Sequence, residues 1–574
     1  MGDEADDDRR GARAGRDNSG PGAFLARQWR VWTGHMEPAV FIPAAGIIVL
    51  FVVLGSVFSG QTGEVFGQLQ SWITATFGWF YLLSATLILV AVLYLCFSTT
   101  GRIRLGGPEA RPEFPMITWF TMMLSAGMGI GIVFFGIAEP IQHFAYPPGG
   151  DGGGATRDTA IESMRYTYFH WGLHPWAIYS AIALPLAYFH FRLKLPMAPR
   201  SMLYPLIGDR IHGWMGHTVD VLCTVGTLFG VATSLGLGAT QINAGLTRIA
   251  GVEQSRTAQI VLVILITGIA TISVVTGIHR GIRRLSEFNL GLLVVLLVFM
   301  LFAGPTVFTL DLFVSGLGSY IQHLPEISLH LVPGGEEREW QSRWTLFYWS
   351  WWISWSPFVG VFTARISKGR TVREFVLAAM IVPTLVGFLW FAVVGGTGIE
   401  STLSGQTPEL PARAAENEAL SLYMLLDTLP LGGITAVLAT LLIVVFFVTS
   451  SDSGSLVDDM VTSGGDPNPP TVQRVFWALS EGAVAITLLL AGGLGALRTA
   501  SLTTGLPIAA LLVVGVWGLV RALRVDARHT GVPALEKIAH SARILGGSNA
   551  AGKEVRRDAP GTDADDPPAD PGGS

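Results

Sequence analysis

Residues 348–360 read YWSWWISWSPFVG. The run lies inside 345–364, a stretch without a charged residue. A helix of that length rises about 30 Å, the thickness of a bilayer's hydrocarbon core. Four of the chain's 17 tryptophans, Trp349, Trp351, Trp352 and Trp355, fall in one seven-residue window. Tryptophan belts sit at the ends of spans, whereas this cluster runs along the segment towards Pro357. On a helix Trp351 and Trp355 share a face at i, i+4, and Trp349 shares one with Trp352 at i, i+3. Several indole faces aimed inward suit a cation that has no hydrogen-bond donors. Each ring then contributes roughly 0.5–2 kcal/mol of cation–π attraction, and quaternary ammonium groups are the usual guests.

The rest of the chain has the same membrane character. It has 574 residues, 50% of them hydrophobic and only 14% charged, with a mean hydropathy of +0.48. Soluble chains average about 25% charge, so this composition excludes a large soluble domain. Twelve segments are long and apolar enough to be expected spans: 38–59, 75–97, 115–142, 168–190, 218–247, 257–278, 286–306, 345–364, 374–398, 433–456, 473–493 and 503–523. Residues 1–25 are polar and lack the apolar core of a signal peptide, so they read as a disordered cytoplasmic tail. The membrane-spanning body is expected to cover 26–524. Residues 525–574, basic and then acidic, read as a second cytoplasmic tail. Cys96 and Cys223 each lie in an apolar run and read as small hydrophobes rather than a disulfide.

Loop charges set the expected orientation. With the N-terminus inside, the inner loops carry fifteen Lys and Arg and the outer loops eight. Arginine and lysine concentrate on the cytoplasmic side, which places the chain as a multi-pass cell-membrane protein with both termini cytoplasmic. The outer connection 311–343 contains LFVSGLGSYIQHLPEISLHL, a mixture suited to a helix lying at the interface.

Three further segments carry chemistry. Span 3 contains SAGMGIGIVFFGIAEP, 125–140, with glycines at 127, 129 and 131. Each costs about 1 kcal/mol in a helix relative to Ala. Either the segment packs closely through small residues, or it unwinds and lines a cavity, the setting in which irregular backbone is tolerated at membrane depth. Glu139 is expected near the outer end of this span, with its charge out of hydrocarbon. Span 4 contains FHWGLHPWAIY, 169–179, adding Trp171, Trp176 and Tyr179. His170 and His174 are i, i+4, but no third metal ligand is apparent, so hydrogen bonds from one or both to neighbouring helices are expected. Span 10 contains FFVTSSDSGS, 446–455. Its hydroxyls either bond back to their own helix or, with freed carbonyls, hold a small hard cation such as Na⁺. Span 5 offers a small-residue run, 226–240, in which Thr227 and Thr233 are further ion-ligand candidates. Neither a nucleophile–base pair nor a metal set is visible, so no enzyme is expected. An asymmetric aromatic box also fits a channel poorly.

GMGIGIVFFGIAEP, FHWGLHPWAIY and above all WSPFVGVFTARISKGRTVREF, 355–375, resemble the betaine/choline/carnitine transporter family, a likeness extending over roughly residues 25–525. The resemblance implies an all-α membrane protein of twelve helices with two inverted five-helix repeats, spans 3–7 and 8–12. Glycine or proline in spans 3 and 8, the first of each repeat, points to a midplane site. It implies an aromatic substrate site of Trp171, Trp176, Tyr179, Trp351, Trp352 and Trp355, with backbone around Ala126 and Met128 facing a substrate carboxylate. It further implies a sodium site from the carbonyls of Ser125, Met128 and Phe446 and the hydroxyls of Thr449 and Ser450. Gly127, Gly129 and Gly131 become coupling determinants, because proton-coupled choline carriers tend to have aspartate at the position of Gly131. Val231 replaces a hydroxyl found in some sodium-coupled members, which puts a second sodium site involving Thr227 in doubt.

The expected activity is therefore sodium-coupled import of a compatible solute for osmoprotection, with sodium as the coupling ion and no cofactor. Glycine betaine leads; choline, carnitine, ectoine and sulfonium analogues are not separated by these residues, and a sodium-independent exchanger is the alternative. Family resemblance also implies a homotrimer. Basic residues of the C-terminal tail (Arg521, Arg524, Arg528, Lys537, Arg543, Lys553, Arg556 and Arg557) are expected to meet anionic membrane lipid. No nucleic-acid partner is expected.

Overall fold

The computed structural model describes residues 34–148, 156–276 and 279–528, with the side chains of 125–126 and 276–284 outside that description. The expected N-terminal tail, most of the C-terminal tail and the side chains of Ser125 and Ala126 thus lie outside the described residues.

Within them the chain is helical and forms no β-strand; the only bridge pairs Arg104 with Thr371. The longer helices, in chain order, begin with α1 (Pro38–Val57), α2 (Ser59–Phe97), α3 (Met116–Gly127), α4 (Ile130–Ala145) and α5 (Arg157–Trp171). Next come α6 (Leu173–Leu193), α7 (Trp214–Ala250), α8 (Arg256–Thr276), α9 (His279–Ala303) and α10 (Thr306–Leu329). The series closes with α11 (Thr345–Arg365), α12 (Val372–Leu403), α13 (Gly432–Thr462), α14 (Thr471–Gly492) and α15 (Leu494–Arg528). Among the described residues nine helices are long and apolar enough to cross a membrane: α1, α2, α7, α8, α9, α12, α13, α14 and α15. The protein is a multi-span membrane protein.

The three expected spans outside that set, 115–142, 168–190 and 345–364, are those that hold the glycine-rich and aromatic candidate residues. The first is split by its break into helices of 12 and 16 residues; the other two have exchanged aliphatic side chains for aromatic and hydroxyl groups, which lowers their hydropathy. They can do so because they face protein rather than lipid. Every residue of α11 from Thr345 through Val361 is buried. By contrast, α8 and α9 expose Ile264, Ile269, Val294 and Phe302 along their outer faces. A helix that is apolar and buried all round belongs at the centre of a bundle. There α11 packs against α6, α7 and α15, and α7 packs along α13.

Breaks in the helices differ in part from expectation. The glycine-rich segment does interrupt, between α3 and α4, where Met128 and Gly129 take extended conformations. Pro357 does not interrupt α11, which runs through it unbroken. A second interruption, legible only afterwards, falls at Gly172 between α5 and α6. A Cβ there would stand 2.4 Å from the Tyr168 carbonyl oxygen and 2.8 Å from Phe388 Cζ, so only glycine fits. The 311–343 connection contains a helix, α10, that packs on α5 and α12.

The basic loop after α11 is fastened to protein. Arg370 donates to the Phe114 carbonyl at 2.6 Å and lies over the Trp119 ring, while Arg373 donates to the Cys96 carbonyl at 3.0 Å. Thr371 and Glu374 form a capping box that starts α12.

Candidate functional site

The two interruptions meet at one cavity. Gly127, Met128 and Ile132 from the α3–α4 break, Trp171 from the end of α5, Pro175, Trp176 and Tyr179 from α6, Trp352 from α11 and Gly387 from α12 line one narrow cavity. Trp171 and Trp352 meet edge to face with ring centroids 4.9 Å apart and an interplanar angle of 71°. Tyr179 stands edge-on to Trp352 at 6.2 Å and to Trp176 at 5.5 Å. Four aromatic rings from three helices thus surround the space, with an apolar wall and a stretch of non-helical backbone beside it.

The structure divides the expected substrate residues. Met128, Trp171, Trp176, Tyr179 and Trp352 line the cavity; Trp351 and Trp355 stand behind it. Trp351 stacks on Trp352 at 4.7 Å and 15°, supporting it from outside, and Trp355 lies 6.2 Å from Tyr179. Ile132, Pro175 and Gly387 are lining residues that sequence reasoning missed. Gly387 had no signal, since it lies in an ordinary apolar span.

The glycines explain how the rings fit. A Cβ on Gly127 would lie 2.4 Å from Trp176 Cη2, one on Gly129 3.2 Å from Trp355 Cη2, and one on Gly131 2.6 Å from Trp351 Cη2. Each of the three alternating glycines thus seats an indole. The small-residue and unwound-backbone readings both hold, on adjoining parts of one segment.

Two hydrogen bonds fix the cage. Because α5 ends at Trp171, the carbonyls of its last turn have no helical donors; Trp352 Nε1 donates to the one on His170 at 3.0 Å. Trp171 Nε1 donates to Glu139 Oε2 at 2.7 Å. Glu139, in the last two turns of α4, is fully buried within protein. His170 behaves as expected, bonding Glu139 through Nδ1 at 2.7 Å and Thr345 through Nε2 at 2.9 Å. Neither ring nitrogen of His174 has a hydrogen-bond partner, and its ring stacks on Trp349 at 5.1 Å. Glu139, His143 and His170 bring three potential metal-ligand atoms within 4.8 Å of one another, but their closest approaches are hydrogen bonds.

At the expected ion site, the α3–α4 break leaves last-turn carbonyls of α3 free of helical donors. Ser450 Oγ lies 3.6 Å from where a Cβ of Gly129 would stand, so α13 does face the break. Thr449 Oγ1 donates to Val445 O at 2.9 Å and Phe446 O at 3.2 Å, the back-bonded arrangement. Farther along α13, Ser451 Oγ donates to Glu481 Oε2 at 2.8 Å and Asp452 pairs with Arg474 at 3.6 Å, so these two residues of the polar run are tied to α14. Thr233 Oγ1 is likewise engaged, bonding Phe229 O at 2.9 Å and Leu497 O at 3.1 Å. Val231 packs against Gly454.

Comparison with known proteins agrees with this arrangement. Residues 39–528 match the model of the betaine/carnitine/choline family of transporters. The chain is 43% identical over 496 residues to a glycine betaine transporter of Acinetobacter baylyi, covering 86% of this chain and 74% of that one. It is 41% identical over 492 residues to a glycine betaine transporter of Bacillus subtilis, covering 85% and 95%. It is 38% identical over 495 residues to an osmo-dependent choline transporter of Acinetobacter baylyi, covering 86% and 72%. The chain belongs to the betaine/carnitine/choline transporter family, and is a transporter rather than an enzyme.

Proposed function

We propose that the protein imports a quaternary-ammonium compatible solute, glycine betaine foremost, by sodium symport with alternating access. The observation that carries this reading is the cage of Trp171, Trp176, Tyr179 and Trp352 set directly beside the Met128–Gly129 break. A trimethylammonium group offers no N–H, so its recognition rests on ring faces and desolvation, which this cage supplies. The N-terminus of α4 opens at the break, and its unpaired N–H groups suit a carboxylate, to which we also assign the backbone of Ala126 and Met128. Relatives named for glycine betaine and choline transport support the same substrate class.

In this mechanism sodium bridges the α3–α4 break and α13, with the carbonyls of Ser125, Met128 and Phe446 and the hydroxyls of Thr449 and Ser450 as ligands. Its binding orders the break and so completes the cage. Thr449 would rotate its hydroxyl off the Val445 and Phe446 carbonyls to take part. Substrate closure then lets the helices rock and open the other side. A second cavity, bounded by Met123, Trp176, Tyr179, Val359, Thr363 and Phe375, adjoins the first across Trp176 and Tyr179 and offers the next step of that route. The twelve crossings, the cytoplasmic termini and the inverted pairing of spans 3–7 with 8–12 belong to this proposal, supported by the loop charges and the family resemblance.

Calorimetric titration of the purified protein with glycine betaine, with and without sodium chloride, tests the reading. Binding that tightens with sodium, and that potassium chloride in place of sodium does not restore, agrees with it. Equal affinity in sodium and potassium would favour the exchanger, a reading for which the back-bonded Thr449 hydroxyl is the one favourable observation.

A further inference from the structure

Behind the cage lies a closed polar network that the transport cycle above does not use. Glu139, fully buried on α4, accepts four hydrogen bonds. Oε2 receives Trp171 Nε1 at 2.7 Å and the Tyr348 hydroxyl at 2.5 Å. Oε1 receives His170 Nδ1 at 2.7 Å and His143 Nε2 at 3.2 Å. An ionised carboxylate has about four lone-pair sites, and all are taken. His170 closes the circuit, since its backbone carbonyl holds the Trp352 indole while its ring holds Glu139. Two adjoining cage walls, Trp171 and Trp352, are thus anchored through one hub.

We propose that Glu139 is a positioning residue for substrate: its charge-assisted bond to the Trp171 indole fixes that ring edge-to-face with Trp352 and enriches its π face for the cation. This rests on the aromatic cage being the substrate site. A bond to an ionised acceptor is about twice as strong as a neutral one. Electron density drawn towards the ring by an N–H donated to a carboxylate strengthens attraction for a cation over the face, a term that a neutral acceptor supplies only weakly. A buried carboxylate beside an apolar cage is costly unless every oxygen is bonded, and here each is bonded to groups that themselves shape the cage.

The test replaces one atom. Incorporation of β-(3-benzothienyl)alanine at position 171 substitutes sulfur for the indole N–H and leaves the ring in place. Calorimetric titration with glycine betaine in saturating sodium should show affinity reduced about fivefold or more, in keeping with loss of one charge-assisted bond. Glu139→Gln should cost about tenfold in the wild-type background and clearly less when benzothienylalanine already occupies position 171, because one of the four bonds it disturbs is already gone. Wild-type affinity with benzothienylalanine at 171, or an undiminished effect of Glu139→Gln in that background, would overturn the proposal. If Glu139→Gln does not fold, the single-atom variant decides alone. Trp352→Ala separates the two levels: wild-type binding there would remove the cage reading itself, whereas lost binding there with unaffected binding in the benzothienyl protein would remove only the role of Glu139.

Discussion

Gly131 lies beneath Trp351, with room for a hydrogen and not for a methyl group: a Cβ would stand 2.6 Å from Cη2 of that indole and 3.1 Å from Cη2 of Trp171. Trp351 in turn backs Trp352 at 4.7 Å. The glycine that the family resemblance makes a coupling determinant is therefore also a seat for the cage.

Gly131→Ala should accordingly disturb the cage as well as any coupling. Overpacking of this kind costs about 1–3 kcal/mol, so a lower melting temperature and a loss of uptake of about tenfold are expected. Adding Trp351→Phe, whose ring ends short of the contact, should recover part of both. Uptake and thermal unfolding of the single and double variants check this. A double variant no better than Gly131→Ala would detach the glycine's role from the indole.

How much of this was legible beforehand depended on which force wrote each residue. Nine of the twelve expected spans and the aromatic cluster were legible because apolar length and a local excess of tryptophan survive in one dimension. The split between rings that line the cavity and rings that support them was not. Trp351, Trp352 and Trp355 share a composition, and only the packing of α11 against α4 and α6 sorts them. Pro357 misled, because α11 accommodates it without a break. Gly172 carried no visible mark, since its constraint comes from the Tyr168 carbonyl as the chain folds back at the break and from Phe388, more than two hundred residues away. The hub at Glu139 was hidden too: its four donors arrive from α4, α5 and α11, and sequence distance hides such convergence.

Trp352→Ala should raise the substrate concentration for half-maximal uptake by more than about tenfold, since it removes a desolvated cation–π wall worth up to about 2 kcal/mol. Trp352→Phe, which keeps a ring but not the donor to the His170 carbonyl, should fall between. Initial-rate kinetics with labelled glycine betaine measure both. A Trp352→Ala protein with unchanged kinetics would remove the cage from the mechanism.

Thr449→Ala combined with Ser450→Ala should raise the sodium concentration needed for half-maximal uptake by about tenfold, the equivalent of about 1.4 kcal/mol. Substrate affinity at saturating sodium should change far less. Sodium titrations of uptake provide the comparison, and an unaltered sodium dependence would refute this ion site.

Tyr179 carries a buried hydroxyl without a hydrogen-bond partner, between the two cavities. An unsatisfied buried hydroxyl costs about 1–3 kcal/mol, so Tyr179→Phe should unfold at the same temperature or higher. Thermal unfolding of purified protein tests it. A marked loss of stability would mean that the hydroxyl is bonded in the folded protein.

The central claim is sodium-coupled import of a quaternary ammonium solute. Labelled glycine betaine uptake into proteoliposomes, with and without an inward sodium gradient and with excess unlabelled choline, addresses it directly. Accumulation that requires the gradient and survives choline is the predicted result. Uptake indifferent to sodium, appearing only when substrate is loaded inside, would contradict it and assign the cage to an exchanger.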